Sequence, residues 1–245
     1  MNATIETLLN HRSIRSFKDT RLNQEQIDTL VAAAQQASTS SYMMAYSIIG
    51  VTDEDKKAEL ADITGQNYVK ENGHLFIFCA DLYRTTIKAD KKQYEEMLAN
   101  LENSEHFLVS AIDAALAAQN AAIAAESMGL GICYIGSIRN QIARVDELLS
   151  LPKHVIPLFG MVVGEPAQKP EQKPRLPKDA VYFENEYSHY EEKLDTFNET
   201  IAAYYRSRSN NNRQDSWTDQ MLRRFQTPMR MDVTEFVQKK GFNKR

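Results

Sequence analysis

Four short stretches of this sequence carry the residues that could do chemistry. HRSIR (11–15) offers His11, Arg12, Ser13 and Arg15. STSS (38–41) offers hydroxyls and backbone N–H groups at a helix end. QKPRLP (172–177) sets Lys173 and Arg175 on a proline-stiffened loop, and YYRSRSNNNR (204–213) holds Arg206, Arg208 and Arg213. Guanidinium forks and hydroxyls suit a phosphate or a polyol, because a planar fork donates two parallel hydrogen bonds to one anion. A pair of arginines in a surface loop is usually only a solvated face, and Ser-rich helix ends are common. Each stretch alone is therefore weak. Their joint presence is stronger, although spacing does not show that they converge.

Other chemistries leave no signature. There is no G-x-x-x-x-G-K-[ST], GLGICY lacks the last glycine of G-x-G-x-x-G, and no G-x-S-x-G elbow occurs. Neither H-E-x-x-H nor a paired C-x-x-C is present, and His11, His74, His106, His154 and His189 show no ligand spacing. No metal site is expected, and none of these standard catalytic signatures is present.

These loops need a scaffold. NATIETLLN (2–10) reads as a short amphipathic helix, and residues 23–37 as a helix capped by Asn23 with Gln26 three residues on. YSIIGVTD (46–53) reads as a strand and turn. KKAELADITG (56–65) is a helix stopped by Gly65, and HLFIFCADL (74–82) a buried strand. Residues 83–105 form an exposed helical excursion. HFLVSAIDAALAAQNAAIAAESM (106–128) is a central Ala-rich helix, in a thick core or a subunit interface. A strand and turn (129–137), a helix (139–151) ended by Pro152 and a strand (157–164) follow. Residues 165–179 hold four of the seven prolines and read as an extended loop. The polar remainder is helical in YEEKLDTFNETIAAYYRSR, a loop at 209–216, then helical again. Strands interleave with helices, but so buried a central helix favours an α+β layered fold over a doubly wound sheet.

Composition bounds the partners. Lys plus Arg is 29 against 33 Asp plus Glu in 245 residues, a net charge of −4, which gives no global attraction to nucleic acid or anionic lipid. Cys79 and Cys133 lie in apolar runs and read as reduced core thiols. MNATIETLLNHR lacks the apolar run of a leader, and no uncharged apolar run approaches about 18 residues, so a cytoplasmic protein outside the membrane is expected.

HRSIRSF, STSS, GLGICYIGSIRN and KPRLP, in this order and at this length, resemble the nitroreductase family, in particular its oxygen-insensitive NADPH-dependent nitroreductase and NADPH–flavin oxidoreductase subgroup. The resemblance runs along essentially the whole chain. It implies a single domain over 1–245: an α+β layered fold, a central mixed sheet flanked by helices, in an intertwined homodimer whose C-terminal tail (about 185–245) embraces the partner. It implies non-covalent FMN at the interface and NADPH as co-substrate. Carried over by position, the FMN ligands are His11, Arg12, Ser13, Ile14, Arg15, Thr39, Gln66, Tyr134, Ile135, Gly136, Ser137, Lys173, Pro174 and Arg175. Arg12 and Ser13 serve the phosphate and ribityl end and Arg15 the N1–C2=O edge, where a cation stabilises the reduced ring. Lys173 and Arg175 form a second phosphate clamp. Thr39 stands where the subgroup has serine, and the spacing around Gln66 is one residue short. Arg208 and Arg213 match the arginines that read the NADPH 2′-phosphate; Ser41 and Arg230 match positions at the substrate site. The implied reaction is ping-pong hydride transfer from NADPH, through FMN, to a nitroaromatic, a quinone, free flavin or a disulfide. A reductase with incidental nitroreduction and a non-catalytic flavin carrier are the rival readings; a 2′-phosphate clamp argues against the carrier.

Overall fold

The computed structural model describes residues 1–208 and 213–245. They divide into two compact units, Met1–Pro170 with Arg230–Arg245, and Glu171–Met229.

The first unit is built on four strands: β1 (Tyr46–Val51), β2 (His74–Asp81), β3 (Gly131–Ile135) and β4 (Val155–Gly164). They are ordered β1-β2-β4-β3, and each neighbouring pair runs antiparallel. The mixed sheet expected from the sequence is thus antiparallel in its named strands. Among the described residues its parallel part is one bridge between Ser13 and Ile132.

Before and between the strands lie α1 (Ala3–Leu9), α2 (Gln24–Gln35), α3 (Glu54–Thr64), α4 (Tyr83–Thr86), α5 (Lys91–Leu101), α6 (Ser104–Ser127) and α7 (Ile142–Leu148). Side chains of a strand alternate between faces, and β2, buried throughout, supplies both cores. Phe76 and Phe78 pack with Leu30 and Ala34 of α2 and with Ala114, Ala117, Ala118 and Ala121 of α6. Leu75, Ile77 and Cys79 pack on the other face with Leu60 and Ile63 of α3, Val145 of α7, and Cys133 and Ile135 of β3. Both cysteines are free and buried, and burial pushes the Cys79 thiol up to about 12.

Local chemistry sets the element ends as the sequence predicts. Asn23 and Gln26 form a capping box at the start of α2. Gly65, at φ 66°, closes α3 in the left-handed conformation that glycine adopts without a Cβ penalty.

The Ala-rich α6 is long and apolar enough to cross a membrane by length and composition alone, a test that a core helix also passes. In this fold one face of it, Ala114, Ala117, Ala118, Ala121, Ala122 and Ala125, is buried in the core. The other carries Leu108, Ile112 and Leu116, each about half exposed.

The second unit holds α8 (Glu191–Ser207) and α9 (Trp217–Gln226). Phe197, Ile201 and Tyr205 of α8 form its small core with Leu176, Tyr204 and Trp217. Of the sequence-predicted loop at 209–216, residues 209–212 lie outside the described residues.

The expected C-terminal tail divides between the units. From Arg230 onward it belongs to the first, where α10 (Val233–Lys239) places Phe236 and Val237, with Phe242, in the core beside Leu101 and Val109. Lys240 pairs with Asp146 at 2.7 Å.

Candidate functional site

Edge strands leave a row of backbone groups free to pair, and β3 is such an edge. The HRSIR segment takes that place. Ile14 donates its N–H to the Ile132 carbonyl at 2.8 Å. Further on, Phe17 bridges Pro166, Lys18 donates to the Glu165 carbonyl at 2.9 Å, and Ala167 donates to the Ser16 carbonyl at 3.0 Å. The N-terminal cations are thereby fixed along β3 and the end of β4. Gly131 makes the approach possible: a Cβ there would lie 2.4 Å from Ile14 Cγ1.

An extended segment turns successive side chains to opposite sides. Ser13 and Arg15 meet the Cys133 thiol, and Arg15 also meets the Tyr68 hydroxyl. Burial pushes both the phenol and the thiol up, and the Arg15 charge opposes the rise in each. Cys133 is therefore a neutral contact and no thiolate nucleophile. Ile14, 5% exposed, and Arg12 line a separate cavity of about 850 Å³ together with Asn10, Glu126, Gly131 and Lys169. His11 reaches Glu126 across 2.7 Å through Nδ1.

The turn after β3 joins the Arg15 side. Ser137 donates its hydroxyl to Gln66 Oε1 at 3.1 Å, and Gln66 opens the short 3₁₀ turn Asn67–Val69 that carries Tyr68. Gln66 and Ser137, two of the sequence-predicted ligands, are thus bonded to each other. Tyr134, 37% exposed, donates to Gln119 Oε1 at 3.4 Å and stands edge-on to Phe159. Burial, with Glu126 nearby, pushes its hydroxyl upward. Ile135 points into the core.

Arg139 escaped the sequence reading. Its guanidinium donates to the Leu158 carbonyl, and a Cβ at Gly136 would lie 3.3 Å from it. Burial, and then the Arg230 charge, lower its pKa. Arg230 itself donates through Nε to Asn140 Oδ1 at 3.0 Å. Two guanidinium groups thus stand together at the β3 turn. The signal in the sequence was a lone Arg two residues after Ser137, in a stretch already singled out.

Thr39 and Ser41 occupy the link between α2 and β1. Thr39 precedes the turn Ser40–Tyr42 in extended conformation without a side-chain cap. Ser41, Tyr42 and Met44 have φ of 49°, 58° and 47°, each costing roughly 1–3 kcal/mol for a residue with a Cβ.

In the second unit, Lys173 and Arg213 converge on one ring. Lys173 Nζ lies 5.9 Å and Arg213 Cζ 4.2 Å from the Tyr205 centroid. Burial raises the Tyr205 pKa, but Arg213 and Lys173 together outweigh it and bring the phenol below its ordinary value. Arg213 also donates to Gln220 Oε1 at 2.9 Å and lies 3.6 Å from Asp215. Arg208 lies 5.7 Å over Tyr204. Arg175 is exposed beside the half-buried Pro174.

An α+β layered fold with cationic segments stitched to a sheet edge defines the class. Two family models cover the chain: the nitroreductase family over residues 8–165 and the nitroreductase family, C-terminal domain, over 173–245. A Bacillus subtilis protein named FMN reductase (NADPH) is 56% identical, with all of both chains covered. The solved structure of the NfrA1 nitroreductase from B. subtilis matches at TM-score 0.92 and 55% identity, covering 99% of this chain and 100% of that one. That of the NADPH:FMN oxidoreductase from Vibrio harveyi complexed with NAD+ matches at 0.90 and 38%, with all of both chains covered. This chain belongs to the nitroreductase family.

Proposed function

We propose that the protein is an NADPH-dependent FMN oxidoreductase acting as a homodimer in the cytoplasm. The observation that carries the reading is the lay of Ser13 and Arg15 along β3, with Gln66 bonded to Ser137 at the turn that follows. A cation, a carboxamide and a bare glycine turn suit the polar edge of an isoalloxazine, so the donor set fits FMN. When bound, FMN would supply the redox chemistry, a two-electron exchange between NADPH and an acceptor, and a single site serving both in turn would make the kinetics ping-pong.

The residues of the chain bind and orient. Arg15 supplies positive charge where the reduced ring becomes negative. Lys173 and Arg175, with Pro174 between them, would clamp a phosphate; Arg12, which leaves the extended segment on the side opposite Arg15, would contribute less to FMN. Arg208 and Arg213 select NADPH over NADH by its 2′-phosphate. Ser41 and Arg230 border the acceptor, and Arg139 beside Arg230 adds a second cation for an electron-rich one.

What supports the dimer is the apolar stripe of Leu108, Ile112 and Leu116 on α6, about half exposed in the single chain. The C-terminal tail, from about residue 185, is the part read as embracing the partner. Free flavin is the favoured acceptor, because the Bacillus subtilis relative bears the name FMN reductase (NADPH); nitroaromatics and quinones share the site.

The test is the visible spectrum of the purified protein under anaerobic conditions. Flavin absorbance should bleach with NADPH, far more slowly with NADH, and return on adding free FMN, a nitroaromatic or a quinone. A colourless protein that FMN does not reconstitute overturns the reading.

A further inference from the structure

The backbone between α2 and β1 is held in a conformation that its own residues disfavour. Ser41, Tyr42 and Met44 are all left-handed, where a Cβ crowds the following carbonyl, and none is glycine. The link offers itself two bonds, Met43 N–H to the Ser40 carbonyl at 2.9 Å and Tyr46 N–H to the Met44 carbonyl at 2.8 Å. The rest of the hold comes from elsewhere. Asp113, in the middle of α6 and 1% exposed, accepts the Ser40 N–H through Oδ1 and the Ala45 N–H through Oδ2, both at 3.0 Å. Its two oxygens pin the two ends of the strained stretch. Arg84 donates to the Met44 carbonyl at 3.3 Å as a weaker third hold.

Among the described residues Asp113 forms no ion pair, so backbone N–H groups compensate its burial. An Ala-rich helix has no packing need for a carboxylate at this position. Between the pinned ends Tyr42 stands 82% exposed, with Ser41 beside it.

We infer that Asp113 is a positioning residue for the acceptor: it fixes residues 41–44 so that the Ser41 hydroxyl and the Tyr42 ring form a rigid lip for a planar aromatic oxidant. This rests on the reading that Ser41 borders the acceptor. Ordering the lip during folding spares the acceptor that cost on binding.

The experiment compares the holoenzyme with Asp113→Asn and Asp113→Ala. Asparagine keeps one acceptor oxygen and turns an NH₂ towards the other N–H, so it should fall between wild type and alanine. Hydrogen–deuterium exchange should quicken in the peptide covering 38–46 and stay unchanged in the rest of α6 and in the sheet. The acceptor KM should rise about tenfold while stopped-flow flavin reduction by NADPH shifts by less than about threefold at equal flavin content. Unchanged exchange at 38–46, or flavin reduction falling in proportion to acceptor turnover, overturns the inference. Should the alanine variant not fold, the asparagine arm decides. Ser41→Ala and Tyr42→Ala separate the two layers. If neither moves the acceptor KM, the placement of the acceptor fails; if both raise it and Asp113→Asn does not, the positioning role alone fails.

Discussion

Ile14 donates its backbone N–H to the Ile132 carbonyl at 2.8 Å, and this bond turns a cationic loop into the outer neighbour of an edge strand. Its geometry depends on the bare Cα of Gly131. A Cβ there meets Ile14 Cγ1 at 2.4 Å and Cβ at 2.8 Å, and Ile14 is held in place by its backbone bond to Ile132. Gly131→Ala should therefore push the segment off β3. The expected result is a loss of about 1–3 kcal/mol in stability together with a lower flavin-to-protein ratio. Thermal melts and absorbance measure both, and an unaltered melt with full flavin content would refute the link between edge pairing and cofactor retention.

Arg15 should matter more for FMN than Arg12, because the two guanidinium groups leave the extended segment on opposite sides. Arg15→Ala removes a charge-assisted contact of about 1.5–3 kcal/mol, which is roughly 10- to 150-fold in affinity. Arg15→Lys keeps the charge but not the fork and should fall between. Arg12→Ala should cost less. Fluorescence titration of the apoprotein with FMN reads all three, and a larger loss with Arg12→Ala would reverse the assignment.

Much of this was legible in the sequence because it is local. The Asn23–Gln26 capping box, the Gly65 stop and the apolar run of β2 each follow from residues a few positions apart. The amphipathic α1 and the Ala-rich α6 were readable for the same reason. What sequence spacing does not carry is pairing across the fold. The Ser137–Gln66 bond spans 71 residues, and the bridge from Ser13 to Ile132 sets a side-chain alternation that divides Arg12 from Arg15. Arg139 was passed over because its meaning comes from Leu158 and Arg230, neither near it in the chain. The role of Asp113 was not legible either, because that role lies with the strained link 41–44, whose ends bond to its two oxygens.

Arg208 and Arg213, although paired in the 2′-phosphate reading, should behave differently when removed. Arg208 has a ring contact with Tyr204 at 5.7 Å, whereas Arg213 is tied to Tyr205, Gln220 and Asp215. Arg208→Ala should raise the KM for NADPH about tenfold and leave that for NADH within about twofold. Arg213→Ala should do the same and also loosen the second unit, seen as faster hydrogen exchange in α8 and α9. Equal losses with both nucleotides for Arg208→Ala would remove the 2′-phosphate role.

His74 should shape the acid limb of stability. It is 6% exposed with Nε2 unpartnered, and burial, with a smaller push from the Lys57 charge, lowers its pKa from 6.5 to about 4. The folded protein therefore resists a proton that the unfolded chain accepts. The contribution is full above about pH 6.5 and is lost as pH falls towards 4, amounting to about 3 kcal/mol over that range. His74→Leu removes the titrating group and an unsatisfied nitrogen together. Urea unfolding of the variant should show a flatter decline between pH 7 and pH 4 than the wild type. Parallel declines would place the acid sensitivity elsewhere.

The outward face of α6 provides the sharpest check on the dimer. Leu108, Ile112 and Leu116 follow at four-residue spacing, so they share one side of the helix, and all are about half exposed in the single chain. The inward side is closed by alanines and does not depend on them. Ile112→Arg places a charge in the middle of the stripe, where a partner subunit would have to desolvate it without a counter-ion. The protomer should keep its far-ultraviolet circular dichroism, run as a monomer in light scattering and emerge without flavin, because the proposed site is completed by the partner. A variant that stays dimeric and yellow would show that chains associate through another face, and the argument from the exposed stripe would fall with it.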